Sequence, residues 1–323
     1  KSVFGNLMKE IFHRVAITGL LGLLYYGFID TESFIYYLAM VYLLRVIVIG
    51  IYALQVYSPK FQLRLLYNYK SVLSYSSLIL LAGFIAVALF DLDKVMIEYY
   101  MPVENVPVYG IAVYIAAVIA VPVKAMNQIA KPLTASYINE DRLDQLEDLY
   151  QRSSITLLII SGFIFLLIIC NLDQIYAIIP EEYRGGYKVV IWIGLIKVVD
   201  NLLGNGGSIL YYSDYHKVTL VGGLIIVALA VVFNIILIPI YGILGAGIAT
   251  FFAFLLYDLL KLILVYRRFK IIPFNVKTFY VIILLAVLYL GFAYWSFGFY
   301  PLIDIVLKSV IISTLFIFLV MRF

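Results

Sequence analysis

The chain has 323 residues, of which 65% are hydrophobic and only 13% charged, with 23 Lys and Arg against 19 Asp and Glu for a net charge of +4. Soluble domains carry about 25% charged residues, and a mean hydropathy of +1.05 leaves too few charged groups to cover the outside of a folded soluble monomer. The composition excludes a soluble protein and points to an all-α, polytopic membrane protein of about ten transmembrane helices. Runs of about 20 residues crossing about 30 Å of hydrocarbon leave no length for a soluble catalytic or nucleic-acid-binding domain.

In chain order, ten apolar segments are expected at 11–29, 33–57, 71–90, 106–123, 154–171, 187–205, 218–239, 243–266, 276–297 and 302–320. Their length and unbroken apolar character favour helices over the alternating strands of a membrane barrel. Sixteen Lys and Arg fall on one side in alternate connections, among them Lys1, Lys60, Arg64, Lys131 and Arg267. The opposite side has three, Lys94, Arg184 and Lys188, while Arg45, Lys197, Lys308 and Arg322 lie within or at the end of spans. The richer side is read as cytoplasmic.

Between the fourth and fifth segments, the acidic stretch from Asn139 to Tyr150 reads as a surface helix capped by Asn139, with Leu143, Leu146, Leu149 and Tyr150 on one face. Gly242, Gly245 and Gly247 open an apolar span with no strand before them, so they are read as close helix packing and not as a nucleotide loop. No phosphate-binding G-x-x-x-x-G-K-[ST] sequence occurs, and a lone Cys170 with two histidines, His13 and His216, provides no material for a disulfide or metal cluster. No cofactor is expected. The chain opens at Lys1 and stops at Phe323 directly after an apolar run, as a fragment of a longer protein would.

Ionisable and amide side chains at membrane depth are the informative positions, because each is costly in hydrocarbon and faces a cavity or a partner. Arg45 lies about 18 Å into its span, and Lys197 about 15 Å from the outer end of its own. The two are expected to face one water-filled space. From Lys197, the residues Asn201, Asn205 and Ser208 recur at helical steps, although glycines at 204, 206 and 207 interrupt the segment. Asp200 stands one turn after Lys197, and two readings remain open: an internal Lys197–Asp200 brace, or a lysine that binds substrate. Lys124, Asn127, Gln128 and Lys131 place two cations and two amides on one face, suited to phosphate and sugar hydroxyls or to snorkelling toward headgroups. Asp258 lies about 22 Å into its span, with Lys261 one turn later. Local pairing is the favoured account, and binding of a coupling ion the alternative.

The order of features resembles the polysaccharide and O-antigen flippases of the multidrug/oligosaccharidyl-lipid/polysaccharide exporter superfamily, whose architecture is MATE-like. The carrying residues are Asp93-Lys94-Val95-Met96, Ile129-Ala130-Lys131-Pro132-Leu133, and the acidic stretch ending Leu149-Tyr150. They continue with Ile179-Pro180-Glu181-Glu182-Tyr183-Arg184, Lys197-Val198-Val199-Asp200, Asn205-Gly206-Gly207-Ser208, and Asn234 through Pro239 to Ala246. The resemblance implies two six-helix lobes around a central cavity. Residues 1–58 would be the last two helices of the N-terminal lobe, 59–270 the complete C-terminal lobe and 271–323 an extra helix pair, with about four helices preceding.

It further implies a transporter, not an enzyme, in a bacterial cytoplasmic membrane. Such a protein flips a polyprenyl-diphosphate-linked oligosaccharide between leaflets, with H+ or Na+ as the coupling ion and the lipid tail left in the bilayer. The alternative is a cation-coupled multidrug exporter of the same architecture, for which unpaired midplane carboxylates are expected. A membrane-embedded glycan polymerase or ligase needs an outward catalytic loop, and the outer connections are short.

Overall fold

A computed structural model describes residues 7–56, 69–213 and 215–322, and every regular element among them is helical. After a π-helical turn at Leu7–Phe12, the helices are α1 (His13–Tyr25), α2 (Thr31–Val56), α3 (Tyr69–Tyr100), α4 (Asn105–Ala117), α5 (Val121–Asn139) and α6 (Leu143–Cys170). They continue as α7 (Leu172–Ile178), α8 (Tyr187–Leu202), α9 (Gly206–Tyr212), α10 (His216–Tyr241), α11 (Ile243–Phe269), α12 (Val276–Phe292) and α13 (Pro301–Val320). A 3-10 turn at Val118–Ala120 joins α4 to α5, and another at Glu181–Gly186 leads into α8. Lys1, Lys60 and Arg64, counted on the cytoplasmic side, lie outside the described residues.

Six helical stretches among the described residues are long and apolar enough to cross a membrane: Thr31–Val56, Asn105–Asn139, Leu143–Cys170, Val221–Tyr241, Ile243–Phe269 and Pro301–Val320. The bent pair of α8 and α9, angled by 55°, makes a seventh. The other three expected segments are α1, α3 and α12. With 13 and 17 residues, α1 and α12 rise about 20 and 25 Å, short of about 30 Å of hydrocarbon. The 32 residues of α3 reach about 48 Å. The architecture is that of a multi-pass membrane protein.

The chain divides into two units, 1–72 and 73–323. In the first, α1 and α2 pack on each other and contain no buried residue. The second is an up-and-down bundle with separate apolar cores at its two ends. At one end, Ile97, Tyr109, Leu172, Tyr176, Val189 and Ile238 gather the end of α3, the start of α4, α7, the start of α8 and the end of α10. At the other, Tyr137, Leu146, Tyr150, Ile209, Leu210 and Val265 gather the end of α5, the start of α6, α9 and the end of α11. Lys94, Arg184 and Lys188 lie toward the first end, and Lys131, Arg142, Arg152, Arg267 and Arg268 toward the second.

The acidic stretch differs from its expected form. Asn139 closes α5 instead of capping a new helix, Asp141 turns the chain at φ 54°, and the acidic residues form the first turns of α6. The apolar face is the reason. Leu146 and Tyr150 are in helical phase with Ser153, Leu157 and Ser161, all buried, so one continuous helix buries the whole stripe. Arg152 pairs with Asp148 at 2.7 Å on its solvated side. The glycines at 242, 245 and 247 do serve close packing: Gly242 turns the chain at φ 61°, and a Cβ at Gly245 would collide with the Leu237 carbonyl of α10.

Candidate functional site

Two buried polar clusters stand out in the second unit, and each is built from helices far apart in sequence. In the first, Asp93 lies seven residues before the end of α3 and is 5% exposed. Its carboxylate accepts hydrogen bonds from the Tyr109 hydroxyl of α4 at 2.5 Å, the Thr250 hydroxyl of α11 at 2.5 Å and Asn234 Nδ2 of α10 at 2.8 Å. All three donors are uncharged. Lys94, the adjoining cation, bonds Asp91 at 2.8 Å. The Asn234 side chain is 0% exposed, and its Oδ1 has no hydrogen-bond donor among the described residues. The cluster thus brings together one negative charge, two hydroxyl oxygens and one amide oxygen, a set of hard ligands suited to a proton or a small monovalent cation. Among the described residues no group of three His, Cys, Asp or Glu gathers into a metal site, and a single carboxylate balances a single positive charge.

The second cluster joins α8 to α11. Lys261 Nζ lies 2.7 Å from Asp258 and 3.3 Å from Asp200, and the same ammonium stands 4.8 Å from the centre of the Tyr257 ring. Asp258 is 1% exposed. The local pair expected from the spacing of Asp258 and Lys261 is therefore present. The carboxylate of Asp200 hydrogen-bonds across helices to Lys261, and Lys197 Nζ sits 5.2 Å over the Phe254 ring. On a helix the i,i+3 spacing makes the two neighbours, but α11 brings a second ammonium directly to the carboxylate.

The amides of the α8 stripe are used inside the fold. Asn201, 1% exposed, donates to the Ile119 carbonyl at 3.0 Å, and Asn205, 2% exposed, donates to the Thr134 hydroxyl. Between them the helix breaks at Gly204, whose φ of +54° is left-handed; a Cβ there would press on the backbone of Ser154. Ser154 in turn donates to the freed Leu202 carbonyl. The stripe read along one continuous helix is thus split, and its two asparagines tie the break to the 3-10 turn at Ile119 and to α5.

On α5, Lys124, Gln128 and Lys131 are exposed on one face, with Asn127 half-buried beside them. In the first unit, the half-buried Arg45 guanidinium lies 5.7 Å from the Tyr42 ring centre, and the Tyr42 hydroxyl is 3.1 Å from His13 Nε2. The residues that sequence reasoning missed are Asp93, Tyr109, Asn234, Thr250 and Lys261 as a partner of Asp200. The apolar run that stops at Phe90 leaves Asp93 beyond the expected span, and the apolar Val95-Met96-Ile97 after it is the signal that α3 continues.

No protein-family model and no curated protein matches the chain. Among solved structures, the chain is similar to one described as lipid II flippase MurJ, inward closed conformation, with a TM-score of 0.66, 15% sequence identity and 96% of this chain covered. The match spans 66% of that flippase's length. At this identity the likeness shows the fold: an all-helical, multi-pass membrane architecture shared with the lipid II flippase MurJ.

Proposed function

We propose that the protein is a flippase that moves a polyprenyl-diphosphate-linked oligosaccharide, an O-antigen, capsule or exopolysaccharide repeat unit, from the cytoplasmic to the outer leaflet of a bacterial cytoplasmic membrane. The observation that carries this reading is the fold shared with the lipid II flippase over 96% of the chain. In this reading, residues 1–58 end an N-terminal lobe, 59–270 form the C-terminal lobe and 271–323 an added helix pair. Transport proceeds by rocking of the lobes, and no bond is made or broken. Arg45 and Lys197 supply positive potential for the diphosphate. Lys124, Asn127, Gln128 and Lys131 meet phosphate and sugar hydroxyls at the cytoplasmic mouth, and the lipid tail stays in the bilayer.

The coupling ion, H+ or Na+, is assigned to Asp93 rather than to Asp258. Asp258 already faces an ammonium at 2.7 Å, whereas Asp93 holds its charge with uncharged donors only and gains from a cation that neutralises it. The same observation favours a second reading, a cation-coupled multidrug exporter, because such a pump uses a carboxylate without an ammonium partner.

Reconstitution into liposomes with a fluorescent polyprenyl-diphosphate oligosaccharide separates the two. The flippase reading expects movement of the labelled lipid between leaflets, at least about tenfold slower in Lys197→Gln at equal folded protein, with part of the rate kept by Lys197→Arg. Liposomes that move lipophilic cations and leave the labelled lipid in place establish the exporter reading instead.

A further inference from the structure

The ion cluster between α8 and α11 is lopsided. Asp258, on the same helix as Lys261, is almost fully buried and lies at the shorter ion-pair distance of 2.7 Å. Asp200 comes from the other helix, takes the longer bond of 3.3 Å and keeps 42% of its side chain exposed. Asp258 alone neutralises Lys261, so Asp200 brings a second negative charge to an ammonium that is already paired. Lys197 stands one turn earlier on α8, with its Nζ 5.2 Å over the Phe254 ring of α11. Asp200 is therefore an anion at the exposed edge of the cluster, under the influence of two ammonium groups. The Tyr257 ring of α11 packs against the same ammonium, its centre 4.8 Å from Lys261 Nζ.

Exchange is possible at one of the two carboxylates only. Withdrawing Asp258 would leave it charged and buried with no partner, a costly state. Withdrawing Asp200 leaves the 2.7 Å pair intact and moves a side chain that is already 42% exposed. An anion that replaces Asp200 meets two point-charge ammonium donors, each with three rotatable N–H bonds, which suits a phosphate group.

We infer that Asp200 is a built-in stand-in for the substrate's diphosphate, holding the anion position beside Lys261 and Lys197 until a phosphate oxygen displaces it. The inference rests on the flippase reading and deepens it, by naming the group that anchors the substrate and the residue it competes with. The exchange is of one anion for another, with no covalent step. Two roles follow for Asp200: it keeps the lysines compensated while the site awaits substrate, and it sets a threshold that singly charged headgroups pass less readily than a diphosphate.

The test measures binding of farnesyl diphosphate and of inorganic diphosphate to the purified protein in lipid nanodiscs, with phosphatidylglycerol as the headgroup control. Asp200→Asn is expected to bind both diphosphates about tenfold more tightly or better, because a like charge near the phosphate is removed, and to bind phosphatidylglycerol more tightly by a smaller factor, since a single charge gains less. Equal or weaker diphosphate binding overturns the inference in favour of a structural brace, and a gain confined to phosphatidylglycerol overturns it in favour of a bulk-lipid site. A gain for farnesyl but not for inorganic diphosphate also overturns it, since the anion alone is the claimed competitor.

Should Asp200→Asn not fold, Asp200→Cys modified after purification decides the matter within one folded protein. A sulfonate-bearing thiol reagent restores the negative charge and is expected to bind diphosphate at least about tenfold more weakly than a trimethylammonium-bearing one; equal affinities overturn the inference. Cys170, 2% exposed, is shielded from both reagents. Flipping by the unmodified protein is followed in parallel. Its absence refutes the flippase reading, whereas flipping without any gain in Asp200→Asn refutes the stand-in alone.

Discussion

Asp93 and Asp258 are both at most 5% exposed within the same helical unit, yet they are held in opposite ways. Asp93 collects three hydrogen bonds from uncharged donors on three helices, and Asp258 faces the Lys261 ammonium at 2.7 Å. Dipolar donors stabilise a carboxylate without cancelling its charge, so the Asp93 region still attracts a proton or cation. An ammonium balances the charge, so Asp258 needs no further cation. The contrast separates a cluster near the C-terminal end of α3, whose carboxylate is held by uncharged donors, from one between α8 and α11 whose carboxylate faces an ammonium.

The largest expected effect breaks the second region. Lys261→Met leaves Asp258 buried without its counter-ion, and a loss of about 3–5 kcal/mol in stability is expected, read as a lowered unfolding temperature in detergent. Adding Asp258→Asn should recover most of it, since the unpaired charge is gone. If Lys261→Met unfolds at the native temperature, the cluster is hydrated and the contrast with Asp93 collapses.

A smaller loss is expected from the first region. Asp93→Ala strands the Tyr109, Asn234 and Thr250 donors, at about 1–3 kcal/mol for each that stays unsatisfied. The sharper measurement is linkage. Na+ or protons that bind this site raise the unfolding temperature of the native protein, and that rise should vanish in Asp93→Asn while persisting in Asp258→Asn. The reverse pattern would move the coupling ion to Asp258.

The smallest effect serves as a control. Arg184 and Glu181 form a 2.9 Å pair with side chains 51% and 85% exposed, where solvent screens the attraction. Arg184→Ala should leave the unfolding temperature unchanged within error. A clear drop would show that ion pairs in this protein act alike wherever they lie, against the distinction drawn between the clusters.

Much of the fold is legible in the residues themselves. Apolar runs of membrane-crossing length, the alternation of Lys and Arg between connections, and the i,i+3 pair of Asp258 and Lys261 all follow from local periodicity and hydropathy, which act within one helix. The break after α8 was also visible, since Gly204, Gly206 and Gly207 weaken a helix, and Gly204 takes the left-handed turn. The start of the acidic helix is not legible locally, because Asn139 is a good cap wherever a helix starts, and only the buried stripe from Leu146 to Ser161 shows that α6 begins after it.

The sites were a matter for the tertiary structure. Periodicity assigns a residue to a face of its helix, but it does not say which other helix meets that face. Asp93 is joined to Asn234 and Thr250 across 141 and 157 residues, and Asp200 to Lys261 across 61. These partners are set by how α3, α8, α10 and α11 pack, through apolar contacts spread over the whole bundle. Burial in a low-dielectric interior then makes each carboxylate take the nearest donor, and which donor is nearest is decided only when the helices have docked.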